Sequence, residues 1–114
     1  MNNCIFCKII NKEIPSAVVY EDERVMAFKD INPVAPVHVL IVPKHHIPSI
    51  KDIKQDEEEY LIDIHLAANK IDEKLGISQS GFRLINNCGK DGGQTVLHLH
   101  YHLIGGASLG EKLI

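Results

Sequence analysis

Leu97-His98-Leu99-His100-Tyr101-His102-Leu103-Ile104 carries three histidines at strict two-residue spacing, with a bulky apolar residue at every position between them. On a strand successive side chains point to opposite faces. The three imidazoles then share one face, about 6 to 7 Å apart, while Leu97, Leu99, Tyr101 and Leu103 pack on the other. A helix turns roughly 100° per residue and would set His100 almost opposite His98 and His102, so the segment reads as a strand from Leu97 to Ile104. Such a row of ring nitrogens serves a histidine nucleophile with helpers, a metal site, or a polar face without chemistry.

The 114 residues make one domain, 1–114, with room for a single core and short enough that a second subunit could complete its active face. A hydrophobic fraction of 45% and a charged fraction of 24% are those of an ordinary soluble chain. The net charge of −3 supplies no basic block to neutralise a phosphate backbone, which argues against nucleic acid as the main partner. Any anion must be held locally. No run approaches the roughly 18 to 20 apolar residues of a membrane span and the N-terminus is not a signal peptide, so the expectation is a cytoplasmic protein without a membrane partner. In a reducing compartment three cysteines are a poor disulfide framework; Cys4-Ile5-Phe6-Cys7 reads instead as metal ligands or a redox pair.

A thioredoxin-like motif needs a strand before it, and the position of Cys4 leaves no room for one. Zinc is the stronger functional reading: two thiolates are half of a tetrahedral site, and histidines from elsewhere must complete it. The bland alternative is a pair of small buried hydrophobes. Ala17 to Glu21 and Arg24 to Asp30 flank a polar turn and read as a β-hairpin. Asp30 ends the second strand, where an acid either caps a turn or accepts two hydrogen bonds from a ribose diol. Val37 to Val42 is apolar at nearly every position and so reads as a central strand carrying His38. The His45-His46 pair follows it, either solvated or offering a third zinc ligand, with His98 as a candidate fourth.

Asp56 to Glu59 reads as a capping box for a long helix with apolar positions Tyr60, Leu61, Ile64, Ala67, Ala68, Ile71 and Leu75, stopped by Gly76. His65 lies beside this stripe without an evident role. Phe82 to Asn86 is a fourth strand. Between it and the histidine strand, Asn87 to Val96 places glycines at three of five positions, which frees backbone amides to face an anion; Thr95 adds a hydroxyl and Asn87 an amide. The alternative for this loop is simple hairpin geometry.

His98-Leu-His-Tyr-His-Leu-Ile resembles the motif of the histidine triad family, and the similarity extends through the Asn87–Val96 loop, Val37 to Lys44 and Cys4 to Asp30. It covers nearly the whole chain and looks closest to the nucleotide-binding, nucleoside phosphoramidase branch. The resemblance implies a hydrolase that cleaves purine nucleoside 5'-phosphoramidates or related conjugates at the α-phosphorus through a nucleotidyl-histidine intermediate. His100 matches the nucleophile, His102 the phosphate binder, and His38 the residue that supports and orients the nucleophile. Asn87, Gly93, Thr95 and the Val96 amide match phosphate contacts; Asp30 matches the ribose acid; Ile5, Phe6, Ile9, Phe28 and Ile31 match the purine walls. Structural zinc is implied on Cys4, Cys7, His46 and His98, with His45 replacing His46 if the register slips by one. Catalysis then needs no cofactor. The implied assembly is a homodimer through the long helix and an edge strand. With the elements read above this gives an α+β fold: about five antiparallel strands, one long helix and a short N-terminal helix. The tail from Ala107 to Ile114 lacks the tryptophan of eukaryotic members, so leaving-group preference does not carry over.

A neutral imidazole, with an ordinary pKa near 6.5, is a competent nucleophile at pH 7 without a strong base. Competing readings are a dinucleoside polyphosphate hydrolase and a nucleotide-binding or interaction module with incidental turnover. A zinc hydrolase with metal on the triad fits less well, because the sequence sets no acidic ligand near the histidines.

Overall fold

The computed structural model describes residues 3–114; Met1 and Asn2, the first two residues of the expected 1–114 unit, lie outside the described residues. The elements are α1 (Ile5–Ile10), β1 (Val18–Glu21), β2 (Val25–Lys29), β3 (Val37–Pro43), α2 (Glu58–Lys74), β4 (Phe82–Asn86) and β5 (Tyr101–Gly105), with two short 3-10 turns before α2. The strands form one antiparallel sheet in the order β1-β2-β3-β5-β4. This is the expected α+β architecture, with β3 central.

The period of two sorts the strand residues between two layers. Val25, Ala27, Val39, Ile41, Leu99 and Leu103 face α2 and pack with Ile64, Ala67, Ala68 and Ile71. Met26, Phe28, Leu40 and Val42 face the other way and pack with Phe6 and Ile9 of α1. The histidines lie on this second face. At the hairpin, Asp22 Oδ1 accepts the amides of Arg24 and Val25, each at 2.8 Å, which closes the turn.

The histidine strand is shorter than its pattern suggests, because the ladder begins only at Tyr101. β5 pairs with β3 in the register His38↔Ile104 and Ile41↔Tyr101, which if continued would set Leu99 opposite Pro43. Proline has no N–H to donate, so pairing stops. Leu99 instead donates to the Ile47 carbonyl at 2.6 Å. Residues 98–100 keep the alternation without the ladder: Leu99 stays in the α2 core, while His98 and His100 face α1. Leu97 departs from the pattern and is 66% exposed rather than packed.

The start of α2 also differs. Asp56 is not the cap; Glu57 Oε1 accepts the Lys54 amide at 3.0 Å, because a 3-10 turn precedes the α-helix and moves the capping bond upstream. Glu58 and Glu59 still occupy the first turn, where the helix dipole favours acids. Gly76 follows the helix at φ +75°, as a stop signal should. Among the described residues no helix is long and apolar enough to cross a membrane.

Candidate active site and thiol–imidazole cluster

A cavity of about 430 Å³ lies between α1 and the end of β2. Its lining includes Ile5, Phe6, Ile9, Phe28, Asp30 and Ile31, all six of the residues expected to surround a nucleobase and ribose, together with Ile14, Pro15 and Leu40, which the sequence reading did not single out. Phe6 and Phe28 meet edge to face, with centroids 5.5 Å apart. Ile31 is 92% exposed and forms a lip. Asp30 does what a strand-end acid does structurally: Oδ1 accepts the Asn32 amide at 2.7 Å, while Oδ2 lies 3.3 Å from His38 Nε2.

Hydrogen-bond partners fix a proton on each ring of the site. His100 Nδ1–H donates to the His98 carbonyl at 2.8 Å, since a carbonyl can only accept, and this leaves Nε2 with its lone pair. Asn86 Nδ2 holds the His100 carbonyl at 3.0 Å. At His38 the order is reversed: the Val34 amide donates to Nδ1 at 3.1 Å, so Nε2 carries the proton and donates it to His102 Nδ1 at 2.9 Å. His102 therefore keeps its own proton on Nε2. One ring offers a lone pair and its neighbour, with centroids 5.2 Å apart, offers a donor. Burial, above all, pushes the pKa of both His100 and His102 below the ordinary histidine value. Both are neutral at pH 7. His38 thus contacts His102 directly, whereas the groups bonded to His100 are the His98 carbonyl and Asn86.

The fold brings an acid to the histidines after all, because Asp30, His38 and His102 place ligand-type atoms within 4.8 Å of one another. The proton assignments nevertheless disfavour a metal there. His38 Nε2 holds its proton as long as Val34 occupies Nδ1, so the trio works as a hydrogen-bond chain.

The glycine-rich loop differs from the expected nest of free amides. Gly89 donates to Gln94 Oε1 at 3.0 Å, Gly93 to the Lys90 carbonyl at 3.1 Å and Gln94 to the Gly89 carbonyl at 3.0 Å, so these amides brace the loop itself. The buried Gln94 completes the brace through Nε2, which reaches the Pro48 and Val96 carbonyls. A side chain at Gly92 would place its Cβ 2.4 Å from the Cys88 carbonyl, and Gly93 sits at φ +86° beside Asn87. Among the described residues the amides of Thr95 and Val96, like that of Gly92, make no hydrogen bond and so can donate to an anion. Gln94 was absent from the sequence-derived site because its role depends on contacts 46 residues away.

Cys4, Cys7, His46 and His98 converge, with one ligand atom of each within 4.8 Å of the others. His98 Nδ1 is 3.3 Å from Cys4 Sγ, 3.5 Å from Cys7 Sγ and 3.1 Å from His46 Nδ1, and Cys7 Sγ is 3.3 Å from His46 Nδ1. A tetrahedral zinc with ordinary bond lengths spaces its sulfur and nitrogen ligands about 3.6 Å apart and two nitrogens about 3.3 Å apart, so the donor set fits. His98 Nε2–H donates to the Pro43 carbonyl at 2.8 Å, which turns the Nδ1 lone pair into the cluster and supplies the outer hydrogen bond usual for a metal-bound imidazole. His45 is directed elsewhere, to Glu57 at 3.0 Å and flat against Tyr60.

Burial, first among its causes, lowers the His98 pKa to about 4. In the unfolded chain the ring titrates near 6.5. Between these values the unfolded state binds a proton that the native state does not, so stability is intact above pH 6.5 and lost as pH falls toward 4. The metal-free protein should lose about 3 kcal/mol through this ring alone. Urea denaturation at pH 7 and pH 4 measures it, and a His98→Gln variant should show a flatter pH dependence; an equal slope in both would contradict the assignment.

The α+β fold with its five-stranded antiparallel sheet is that of a class of hydrolases, and comparison with known proteins places the chain in it. Residues 11–109 match the HIT domain, and the chain belongs to the HIT family. It is 49% identical over 109 residues to the purine nucleoside phosphoramidase of Escherichia coli K12, covering 96% of this chain and 92% of that one. A HIT family hydrolase from Clostridium thermocellum superposes with a TM-score of 0.97 at 60% identity, covering 100% of this chain and 99% of the other. A histidine triad protein from Clostridium difficile gives 0.95 at 55%, covering 98% and 97%. The chain is thus a HIT-family hydrolase homologous to purine nucleoside phosphoramidase.

Proposed function

We propose that the chain, as one domain over 1–114, hydrolyses purine nucleoside 5'-phosphoramidates or related nucleotidyl conjugates at the α-phosphorus. The observation that carries this reading is the opposite protonation of adjacent rings, an Nε2 lone pair on His100 and an Nε2–H on His102. The lone pair of His100 attacks phosphorus and forms a P–N bond while the bond to the departing amine breaks, the amine taking a proton from solvent. The His98 carbonyl then faces the imidazolium Nδ1–H, a stronger charge-assisted bond than the neutral one it replaces. Water attacks phosphorus in the second step, the P–N bond to His100 breaks, and nucleoside monophosphate leaves with the imidazole restored.

His102 Nε2–H and the Thr95 and Val96 amides stabilise negative charge on the phosphoryl oxygens, the larger catalytic contribution in such sites. Asn87 and the close approach permitted by Gly93 complete that contact. His38 positions His102, and Asp30, with acceptor capacity beyond its two present partners, takes the ribose hydroxyls. The base occupies the cavity between Phe6 and Phe28. No step uses a metal; zinc on Cys4, Cys7, His46 and His98 is structural, and a reducing cytoplasm keeps the two thiols available to it.

Exposed apolar residues on α2, Ile62 at 56% and Leu66 at 54%, together with Phe82 on the edge strand β4, support a homodimer through these elements. Light scattering that returned the mass of a single chain would remove that part of the reading. For the activity, the test compares kcat/KM on adenosine 5'-phosphoramidate and on a dinucleoside tetraphosphate. Preference for the phosphoramidate by at least about tenfold, roughly 1.4 kcal/mol of transition-state binding, is expected. The reverse order would make the protein a polyphosphate hydrolase.

A further inference from the structure

We propose that the Cys4–Cys7–His46–His98 cluster positions the His100 nucleophile, so that metal occupancy sets the geometry of the active site as well as holding the N-terminus to the sheet. The proposal rests on the reading of His100 as the nucleophile and adds a control to it.

Two separate contacts run from the cluster to His100. The first passes through His98. Its Nδ1 points into the cluster, its Nε2 is held by the Pro43 carbonyl, and its own carbonyl accepts His100 Nδ1–H at 2.8 Å. A residue pinned through both ring nitrogens cannot shift its backbone without moving the acceptor that fixes the nucleophile's tautomer. The second passes through Phe6, which the two cysteines bracket on α1. Its ring meets His100 edge to face at 5.0 Å and 87°, and meets His98 at 5.9 Å and 71°.

A six-residue helix has no stability of its own, so α1 stays where side chains hold it. Cys4 does so at the first turn, where its Sγ accepts the Cys7 amide at 3.4 Å. Removing an ion would leave thiols and imidazole lone pairs crowded at 3.1 to 3.5 Å with nothing between them. Helix α1 and the His98 backbone are the parts free to relax. Phe6 is accordingly a positioning residue for His100 besides being a wall of the base cavity, and loss of the ion should disturb both functions together.

The test uses full-length protein with 15N-labelled histidine, stripped of metal by a chelator and then reloaded with Zn²⁺ or with the larger Cd²⁺. The hydrogen-bonded His100 Nδ1–H resonance should be sharp in the zinc form, shifted in the cadmium form, and lost or shifted in the stripped form, while the Ile64 and Ile71 methyl signals under α2 stay in place. A Phe6→Leu variant should keep its full complement of zinc, shift the same resonance and lose about 10- to 100-fold in kcat, the range that misplacement of a reacting group by up to 1 Å produces. If the stripped protein unfolds, the cadmium form and Phe6→Leu decide. Identical His100 signals across the zinc form, the cadmium form and Phe6→Leu would overturn the proposal. A wrong nucleophile assignment gives a different signature: His100→Asn keeps its turnover, while in the wild-type chain the His100 resonance still moves between the zinc and cadmium forms.

Discussion

Replacing His100 by asparagine is expected to lower kcat/KM on an adenosine phosphoramidate by roughly four orders of magnitude or more, the scale set by deleting a covalent nucleophile. Asparagine suits the test because its side-chain N–H₂ can still donate toward the His98 carbonyl that now holds His100 Nδ1. That acceptor need not be orphaned in a site where His100 is only 5% exposed. The lone pair at the Nε2 position is what disappears. Binding of a nucleoside monophosphate should stay within a few-fold, because the base cavity, Asp30 and the Thr95 and Val96 amides are untouched. Rapid quenching with mass analysis should find a nucleotidyl adduct on the wild-type chain and none on the variant. Full turnover in His100→Asn would remove the nucleophile assignment, and an undiminished adduct would move it to another residue. His100→Gly makes the complementary comparison, since it also removes the ring that Phe6 packs against.

Several of these features are written locally. Period-two alternation in Leu97–Ile104 and in Val37–Val42 sorted residues onto faces, and from His98 onward the layers obey it even where the ladder does not. The residues expected to wall the cavity came instead from the family resemblance over the stretches around Phe6 and Phe28. What was hidden depends on where distant backbone polar groups end up. Pro43 ends the ladder only because the register would set it opposite Leu99. Gln94 braces the glycine-rich loop by reaching Pro48, which no spacing rule reveals. The partner of His38 was also out of reach: sequence puts it among the histidines, but only the Val34 amide decides which nitrogen carries the proton, and so that it serves His102. Asp30 came within reach of the triad by the pairing of β2 with β3, although 68 to 72 residues separate it in sequence from the three histidines. The choice between His45 and His46 was likewise made by Glu57 and Tyr60, which capture His45.

Cys7→Ser is expected to cost the protein its metal and much of its stability. Cys7 is buried, and its sulfur touches both His46 and His98, so its loss removes a donor from within the cluster. Serine preserves the size of the side chain, but its hydroxyl does not ionise as a thiolate does, and the site loses both a charge and a soft donor. An ion present at a thousand times its dissociation constant stabilises the folded state by about 4 kcal/mol. For a chain of this length, loss of that contribution lowers Tm by roughly 15 to 20 °C. Metal analysis of wild-type protein purified without added metal should find one zinc per chain, and Cys7→Ser should hold little. Added chelator should lower the wild-type Tm toward that of the variant and leave the variant where it was. Wild-type protein without stoichiometric metal, or a chelator with no effect on its Tm, would reduce the cysteines to packing residues. The pairing of results matters because Cys7→Ser also buries a hydroxyl. A drop in Tm alone could come from that, whereas a drop that the chelator reproduces in the wild type and cannot deepen in the variant comes from the ion.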